Sequence, residues 1–345
     1  MTDPAGPDAT LLALAGGLAE RAGRGRVRAL TRLSGGNNNR VYRVETAAGE
    51  TLALKLYFDD PRDPRDRLGA EWRFLRLAWT RGIRNVPEPL ACDAAAHAAL
   101  YGFVPGRRLL AAELAPAHID AAIDFVLAVN APPCDPLALA PASEACFSLA
   151  AHVSTVERRV ARLVQLDADA PMAREARHFV TTRLAPLWDA VKRRLEDEAR
   201  TAGLTMDHEI GADDCCLSPS DFGFHNALAG EQGLGFLDFE YAGRDDPAKL
   251  VCDFFCQPEV PVPMRYHDGF VARLAQGLPI DAAGRARCRI LMDAYRIKWA
   301  CIMLNEFLPL GATQRAFADA GSRAARCERQ LAKAEAHIAG IAPQG

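Results

Sequence analysis

The chain has no stretch both long and apolar enough to suggest a membrane span. Its N-terminal apolar run, Leu11 to Ala19, is too short and too rich in small residues. It also lacks an excess of charge of either sign: 41 basic and 44 acidic residues leave a formal charge of -3. No broad positive field recommends nucleic acid or an anionic membrane as a partner. Ten cysteines are present, but they are scattered and include no paired Cys-x-x-Cys. Cys252 and Cys256 are four apart, and adjacent Cys215 and Cys216 have His208 nearby, yet neither group has the matching ligands of a structural zinc site. Residues 1–7 are polar and contain proline, so no signal peptide is expected, and reduced thiols in a cytoplasmic protein are the simplest account. Internal repeats and low-complexity tracts are absent as well, which sets aside solenoid and disordered architectures.

What is present is a globular composition, half apolar and a quarter charged, spread over 345 residues. That length suits two domains, each able to bury a core. Residues 8–22 have helical spacing of apolar positions. Then come short β-type runs, VRALTRL, RVYRVET and TLALKLYF, separated by SGGNNN and AAGE, which predict an antiparallel sheet with tight turns. Residues 65–80 predict an amphipathic helix with Leu68, Trp72, Leu75 and Trp79 on its apolar stripe. Two more strand-like runs, VPEPLACD and HAALYGFVPG, end at Pro105 and Gly106, which do not continue a strand easily. Beyond them apolar periodicity predicts helices over 116–130, 143–165, 172–200, 264–276, 283–308 and 312–338. The expected division is therefore a sheet-containing domain over 1–104 and a mainly helical one over 105–345.

Three features carry chemistry. Ser34, Gly35, Gly36, Asn37, Asn38 and Asn39 form a loop whose residues tolerate positive φ and can turn backbone N–H groups toward an anion, although Gly-Gly-Asn is also ordinary hairpin punctuation. Lys55 alternates onto the face opposite Leu54 and Leu56, one strand beyond that loop. Alone it reads first as a solvated strand lysine, and Glu71 as either a solvated helix residue or a carboxylate reaching the Lys55 ammonium. The third feature is the stretch from Cys216 to Phe255, in which Asp221 is followed five residues later by Asn226 and then, after a glycine-rich turn, by Asp238 in an apolar run. Two carboxylates and an amide so spaced can hold a divalent cation beside a substrate hydroxyl, as phosphoryl transfer from a nucleotide requires.

The order of these parts resembles the aminoglycoside phosphotransferase and choline/ethanolamine kinase family. The most specific segments are LSGGNNNRVYRV, LALKLY, YGFVPGR, SDFGFHNAL and FLDFEYAG. The resemblance implies an α+β, two-lobed protein-kinase-like fold, with an antiparallel sheet lobe carrying one key helix and a larger helical lobe. It implies an ATP-dependent kinase that uses Mg2+ and phosphorylates a hydroxyl of a small sugar, amino sugar or amino alcohol. Carried over by position, Ser34 to Asn39 would cover the nucleotide phosphates, and Lys55, fixed by Glu71, would contact two of them. The segment from Leu100 to Phe103, including Tyr101, would meet the adenine edge. Asp221 would orient the acceptor hydroxyl and accept its proton, and Asn226 and Asp238 would ligate magnesium. Glu240 would sit near the metal or the substrate. Trp299, Asn305 and Glu306, near one another on a helix, are candidate acceptor contacts, although core packing explains that spacing too.

The chain departs from the family pattern at Pro219, where a histidine two residues before the catalytic aspartate is expected, and His225 before Asn226 is unlike the usual residue there. Pro219 favours a second reading, a nucleotide-binding pseudokinase without turnover, whereas retention of Lys55, Glu71, Asp221, Asn226 and Asp238 together opposes it. A protein kinase proper is disfavoured, since residues 238–240 read Asp-Phe-Glu and no Ala-Pro-Glu segment is present.

Overall fold

The computed structural model describes residues 9–33, 39–318 and 322–341. It is an α+β protein with an antiparallel sheet in its N-terminal part and a helical remainder. The chain divides into two compact units: Met1–Arg107 with Leu228–Glu240 and Gln314–Ala320, and Arg108–Ala227 with Tyr241–Thr313 and Gly321–Gly345.

The first unit opens with helix α1 (Ala9–Arg21), followed by strands β1 (Val27–Leu33), β2 (Arg40–Thr46) and β3 (Thr51–Leu56). Helix α2 (Arg67–Thr80) and strands β4 (Pro89–Asp93) and β5 (Ala98–Gly102) complete a five-stranded sheet of order β1-β2-β3-β5-β4, antiparallel at every pairing. The β2–β3 connection is tight because Gly49 takes φ +82, a left-handed conformation open to glycine, and its N–H closes onto the Thr46 carbonyl at 3.0 Å. Period-2 alternation sends Leu52 and Leu54 of β3 to one face, where they pack with Val44, Leu30, Leu100 and Leu18 of α1 in a single apolar cluster. Each such leucine, fully buried, contributes about 1.5–3 kcal/mol. The same alternation forces Lys55 onto the opposite face. Helix α2 begins at an Asp66 cap whose carboxylate accepts the Gly69 N–H at 2.8 Å, which fixes the phase at which Glu71 leaves the helix. Chain order continues with β6 (Arg107–Arg108).

The second unit holds α3 (Pro116–Val129), α4 (Leu149–Arg162), α5 (Ala173–Phe179) and α6 (Ala185–Thr201). Strand β7 (Cys216–Ser218) comes next in the chain, then β8 (Ala227–Gly230), β9 (Gly233–Phe236) and β10 (Gly243–Asp245). They are followed by α7 (Pro247–Cys256), α8 (His267–Leu274), α9 (Ala282–Ile290), α10 (Met292–Met303), α11 (Pro309–Ala318) and α12 (Arg323–Ile338). Strands β7 and β10 pair antiparallel.

The helices differ from their sequence expectations at specific places. The 172–200 segment contains a wide π-turn over Val180–Leu184, just before Pro186, which has no N–H to give the helix. The 283–308 segment is two helices, turned at buried Leu291, and ends in a 3-10 turn over Leu304–Phe307. The 312–338 segment is also two helices, α11 and α12. All ten residues of helix α7 are buried, and its polar stripe of Lys249 and Asp253, one helical turn apart, is turned inward to other charged groups.

Gly243, opposite Ser218 in the β7–β10 pair, lies so close to the 140–142 segment that an added Cβ would stand 2.5 Å from the Ala140 carbonyl oxygen and the Ala142 nitrogen. Gly243→Ala is therefore expected to lower stability by about 1–3 kcal/mol through overpacking. A denaturant titration followed by tryptophan fluorescence measures this, and an unchanged midpoint would show that the two backbones do not approach this closely.

Candidate active site

In the first unit the Lys55 side chain is almost fully buried, which is tolerable for an ammonium only if it is paired. Its Nζ donates to Glu71 Oε2 and to Asp238 Oδ1, both at 2.6 Å. Burial works against the charge, but the carboxylates of Asp238, Glu71 and Glu240 outweigh it and hold the Lys55 pKa well above its ordinary value. Lys55 is therefore a fixed cation.

Glu71 is itself positioned by more than the lysine. The Tyr57 hydroxyl donates to its Oε2 at 2.8 Å and shares a 2.6 Å hydrogen bond with the Tyr101 hydroxyl, while the Phe239 N–H reaches Oε1 at 3.3 Å. Phe239 also stacks on Phe74 of α2, with ring centroids 4.7 Å apart, so the residue after Asp238 is anchored by both backbone and side chain. Asp238 has φ +65, a sparsely populated conformation that aspartate tolerates and that persists where the surroundings over-determine it.

Glu240 is fully buried: Arg67 Nη1 lies 3.1 Å from its Oε1, and Asn39 Nδ2 donates to its Oε2 at 2.7 Å. Asn39 in turn accepts the Phe58 N–H, and Arg67 also pairs with Asp63. Glu240 thus fastens the end of the glycine-rich loop to the start of α2. Ser34, Gly35, Gly36, Asn37 and Asn38, expected to cover phosphates, lie outside the described residues. Tyr101 is buried with its hydroxyl on Tyr57, and Phe103 stands beside the Arg43 guanidinium, 5.6 Å from its ring centroid.

In the second unit Asp221 sits on the turn that leaves β7, at φ +44, directly after Ser220 at φ +49. Alternation organises this turn. Phe222 stacks between Phe125 and Phe254, and Phe224 meets Phe254 and His118 edge-on, so two aromatic side chains hold the segment to the core. Residues 221 and 225 are then left to pair with each other, His225 Nε2 lying 3.3 Å from Asp221 Oδ1. Asn226 Nδ2 donates to the Asp221 carbonyl at 3.0 Å, which leaves its Oδ1 as the atom available to a cation. Asp238, with Oδ1 on Lys55, has Oδ2 to offer, and oxygen donors of this kind fit a hard ion such as magnesium. Among the described residues no cluster of three His, Cys, Asp or Glu side chains could hold a metal ion by itself.

The remaining sequence candidates do internal work. Trp299 is buried and donates its indole N–H to Asp253 at 3.1 Å. Glu306 is wholly buried against Arg326, at 3.1 Å, while Asn305 lies in the 3-10 turn beside it, its carbonyl pressed close to Gly311. Sequence reasoning passed over Tyr57 and Arg67. Both had a signal: Tyr57 lies two residues past Lys55, on the same side of an extended chain, and Arg67 lies one helical turn before Glu71.

Replacing Glu71 with alanine removes a partner from a buried cation, from the Tyr57 hydroxyl and from the Phe239 N–H. Glu71→Ala is expected to cost about 3–5 kcal/mol, as for breaking one side of a buried ion pair. Chemical denaturation measures the loss; a cost below about 1 kcal/mol, the scale of an exposed pair, would show that the Lys55–Glu71 pair is not buried in solution.

No curated protein sequence matches the chain. Among solved structures, spectinomycin phosphotransferase in complex with ADP and spectinomycin is similar with a TM-score of 0.59 at 13% identity, over 97% of this chain and 99% of that one. Choline kinase LicA from Streptococcus pneumoniae is similar with a TM-score of 0.55 at 15% identity, over 94% and 99%. A choline/ethanolamine kinase family protein from Mesorhizobium loti gives 0.54 at 19%, over 90% and 92%. At these identities the likeness is one of fold, that of the protein-kinase-like small-molecule kinases. Sequence similarity is carried by residues 29–291, which match the model of the phosphotransferase enzyme family, and with well over half its length so matched the chain belongs to that family.

Proposed function

We propose that this enzyme transfers the terminal phosphate of ATP to a hydroxyl of a small sugar, amino sugar or amino alcohol. The observation that carries the reading is the Lys55 ammonium, buried yet held charged between Glu71 and Asp238 in a member of the phosphotransferase family. A fixed cation of this kind suits polyphosphate, whose charge must be offset without reorganisation as the terminal phosphoryl group moves. Asn39, fastened through Glu240, sets where the glycine-rich loop re-enters β2.

In this reading Lys55 contacts the nucleotide phosphates, and Asp238 and Asn226 hold magnesium through carboxylate and amide oxygens. Bound there, the ion would offset phosphate charge and help align the group that is transferred. Asp221 accepts a hydrogen bond from the acceptor hydroxyl, aims its oxygen at the terminal phosphorus and takes its proton as the new O–P bond forms and ADP departs. Its carboxylate, a quarter exposed at 25% and in contact with His225, suits that role. The similar proteins named above are a spectinomycin phosphotransferase, a choline kinase and a choline/ethanolamine kinase family protein, which supports setting the acceptor class as polar alcohols of that size.

The experiment that tests this is a screen of such alcohols and sugars for acceptor-dependent ADP release by the purified protein. Release with none of them, alongside retained nucleotide binding, would favour the pseudokinase reading that Pro219 raises. Asp221→Asn is expected to lower kcat at least a hundredfold while MgATP affinity stays near wild type; transfer at the wild-type rate would remove Asp221 from the mechanism. Asp238→Ala is expected to weaken magnesium-dependent nucleotide binding by roughly tenfold or more, and calorimetry showing unchanged binding would remove the metal role.

A further inference from the structure

We propose that Lys249 is a positioning residue for Asp221, acting through the hydroxyl of Ser220. The inference rests on the reading of Asp221 as the residue that orients the acceptor.

Two consecutive non-glycine residues at positive φ, Ser220 and Asp221, need surroundings that hold them there. Pro219, just before them, has no N–H with which to tie the turn. The Ser220 N–H is bonded to Ser218 Oγ at 3.1 Å, which secures the backbone at the end of β7. Its hydroxyl turns the other way and meets Lys249 Nζ at 3.4 Å.

Lys249 lies in the first turn of α7 and is only 2% exposed. Besides Ser220 Oγ, its ammonium forms ion pairs with Asp245 Oδ2 at 2.9 Å and Asp253 Oδ2 at 3.3 Å. The two carboxylates overcome the burial penalty and keep the ammonium charged, so the group that reaches Ser220 is itself immobilised.

Asp253 extends the hold to the other side of the turn. Its Oδ1 accepts from Lys298 Nζ at 2.6 Å and from the Trp299 indole at 3.1 Å. The Trp299 ring meets the His225 ring edge-on, with centroids 6.1 Å apart, and His225 touches Asp221 Oδ1. A closed circuit of contacts therefore runs from Ser220 through Lys249, Asp253, Trp299 and His225 to Asp221, all within the second unit. It supplies from α7 and α10 the support that Pro219 does not give, and it accounts for a buried lysine that the nucleotide side of the chemistry does not use.

Ser220 is the place to test the link, because changing it leaves the buried charges paired. Ser220→Ala removes the hydroxyl; Ser220→Gly removes it while suiting the backbone conformation. Both are expected to lower kcat about tenfold to a hundredfold, the cost of a misplaced reacting group. KM for ATP should stay within about twofold of wild type, since that contact belongs to binding common to ground and transition states. Both should also speed amide exchange over residues 222–226. Lys249→Met should reproduce the kcat loss with a lower melting temperature, having taken the Lys249 ammonium from buried Asp245 and left Asp253 with Lys298 alone. Wild-type kcat in both Ser220 variants would overturn the proposal, and so would wild-type exchange in both. If the unaltered protein transfers phosphate to no hydroxyl, the functional reading fails by itself, and the exchange measurement still decides whether Lys249 holds the turn.

Discussion

A buried ammonium with two carboxylates is the constraint on which the first unit depends. Lys55 cannot stay charged away from water unless Glu71 and Asp238 both reach it, so three separate stretches of sequence must meet at one atom. Strand β3 supplies the lysine, α2 the glutamate, and the chain just beyond β9 the aspartate. Around that contact the remaining polar groups are recruited in turn. Tyr57 and Tyr101 complete the lining of Glu71, and Glu240 ties Arg67 to Asn39. Each of these bonds is ordinary in strength; what they provide together is a buried cation whose position is fixed by the fold. Catalysis of phosphoryl transfer draws most of its gain from this kind of preorganisation.

The second unit solves a different problem by a different means. Asp221 must project from the chain in a backbone conformation that costs free energy, and the restraint comes largely from apolar packing. Phe222 and Phe224 enter a stack that includes Phe125, Phe254 and Phe270, so displacing the turn would mean withdrawing two aromatic rings from the core. Buried charge appears here as well, in the set formed by Asp245, Lys249, Asp253 and Lys298, but it lies beneath the turn and supports it from below.

The chain belongs to the phosphotransferase enzyme family through residues 29–291, and at 12–19% identity its likeness to solved structures is one of fold. The buried cation of the first unit and the strained turn of the second are held by contacts within this chain, and those contacts are spread over segments far apart in sequence. Pro219, which gives the turn no N–H, leaves that holding to side chains from elsewhere in the second unit.

Much of this was legible in the linear sequence because it depends on short-range periodicity. Alternation in TLALKLYF determined that Lys55 faces away from the leucine core, and the spacing of VRALTRL, RVYRVET and TLALKLYF determined an antiparallel hairpin series. Aspartate, asparagine and aspartate at 221, 226 and 238 raised the expectation of oxygen ligands for a cation from spacing alone. The sequence was silent wherever a residue's role depends on a partner far along the chain. Lys55 and Asp238 are 183 positions apart, Asn39 and Glu240 are 201 apart, and no local pattern distinguishes a carboxylate that waits for a ligand from one already claimed. Glu240, Trp299 and Glu306 were read as possible substrate contacts for that reason, and tertiary structure gave them to Arg67, Asp253 and Arg326. Helix α7 was passed over although Lys249 and Asp253 stand one turn apart; nothing local tells that such a charged pair is buried, since the partners that make burial tolerable, Asp245, Ser220 and Lys298, come from other segments. Short-range pattern settled which strands form and which face Lys55 takes, because alternation is local; only long-range burial, which makes an unpaired charge intolerable, decided which charged groups are bound to each other.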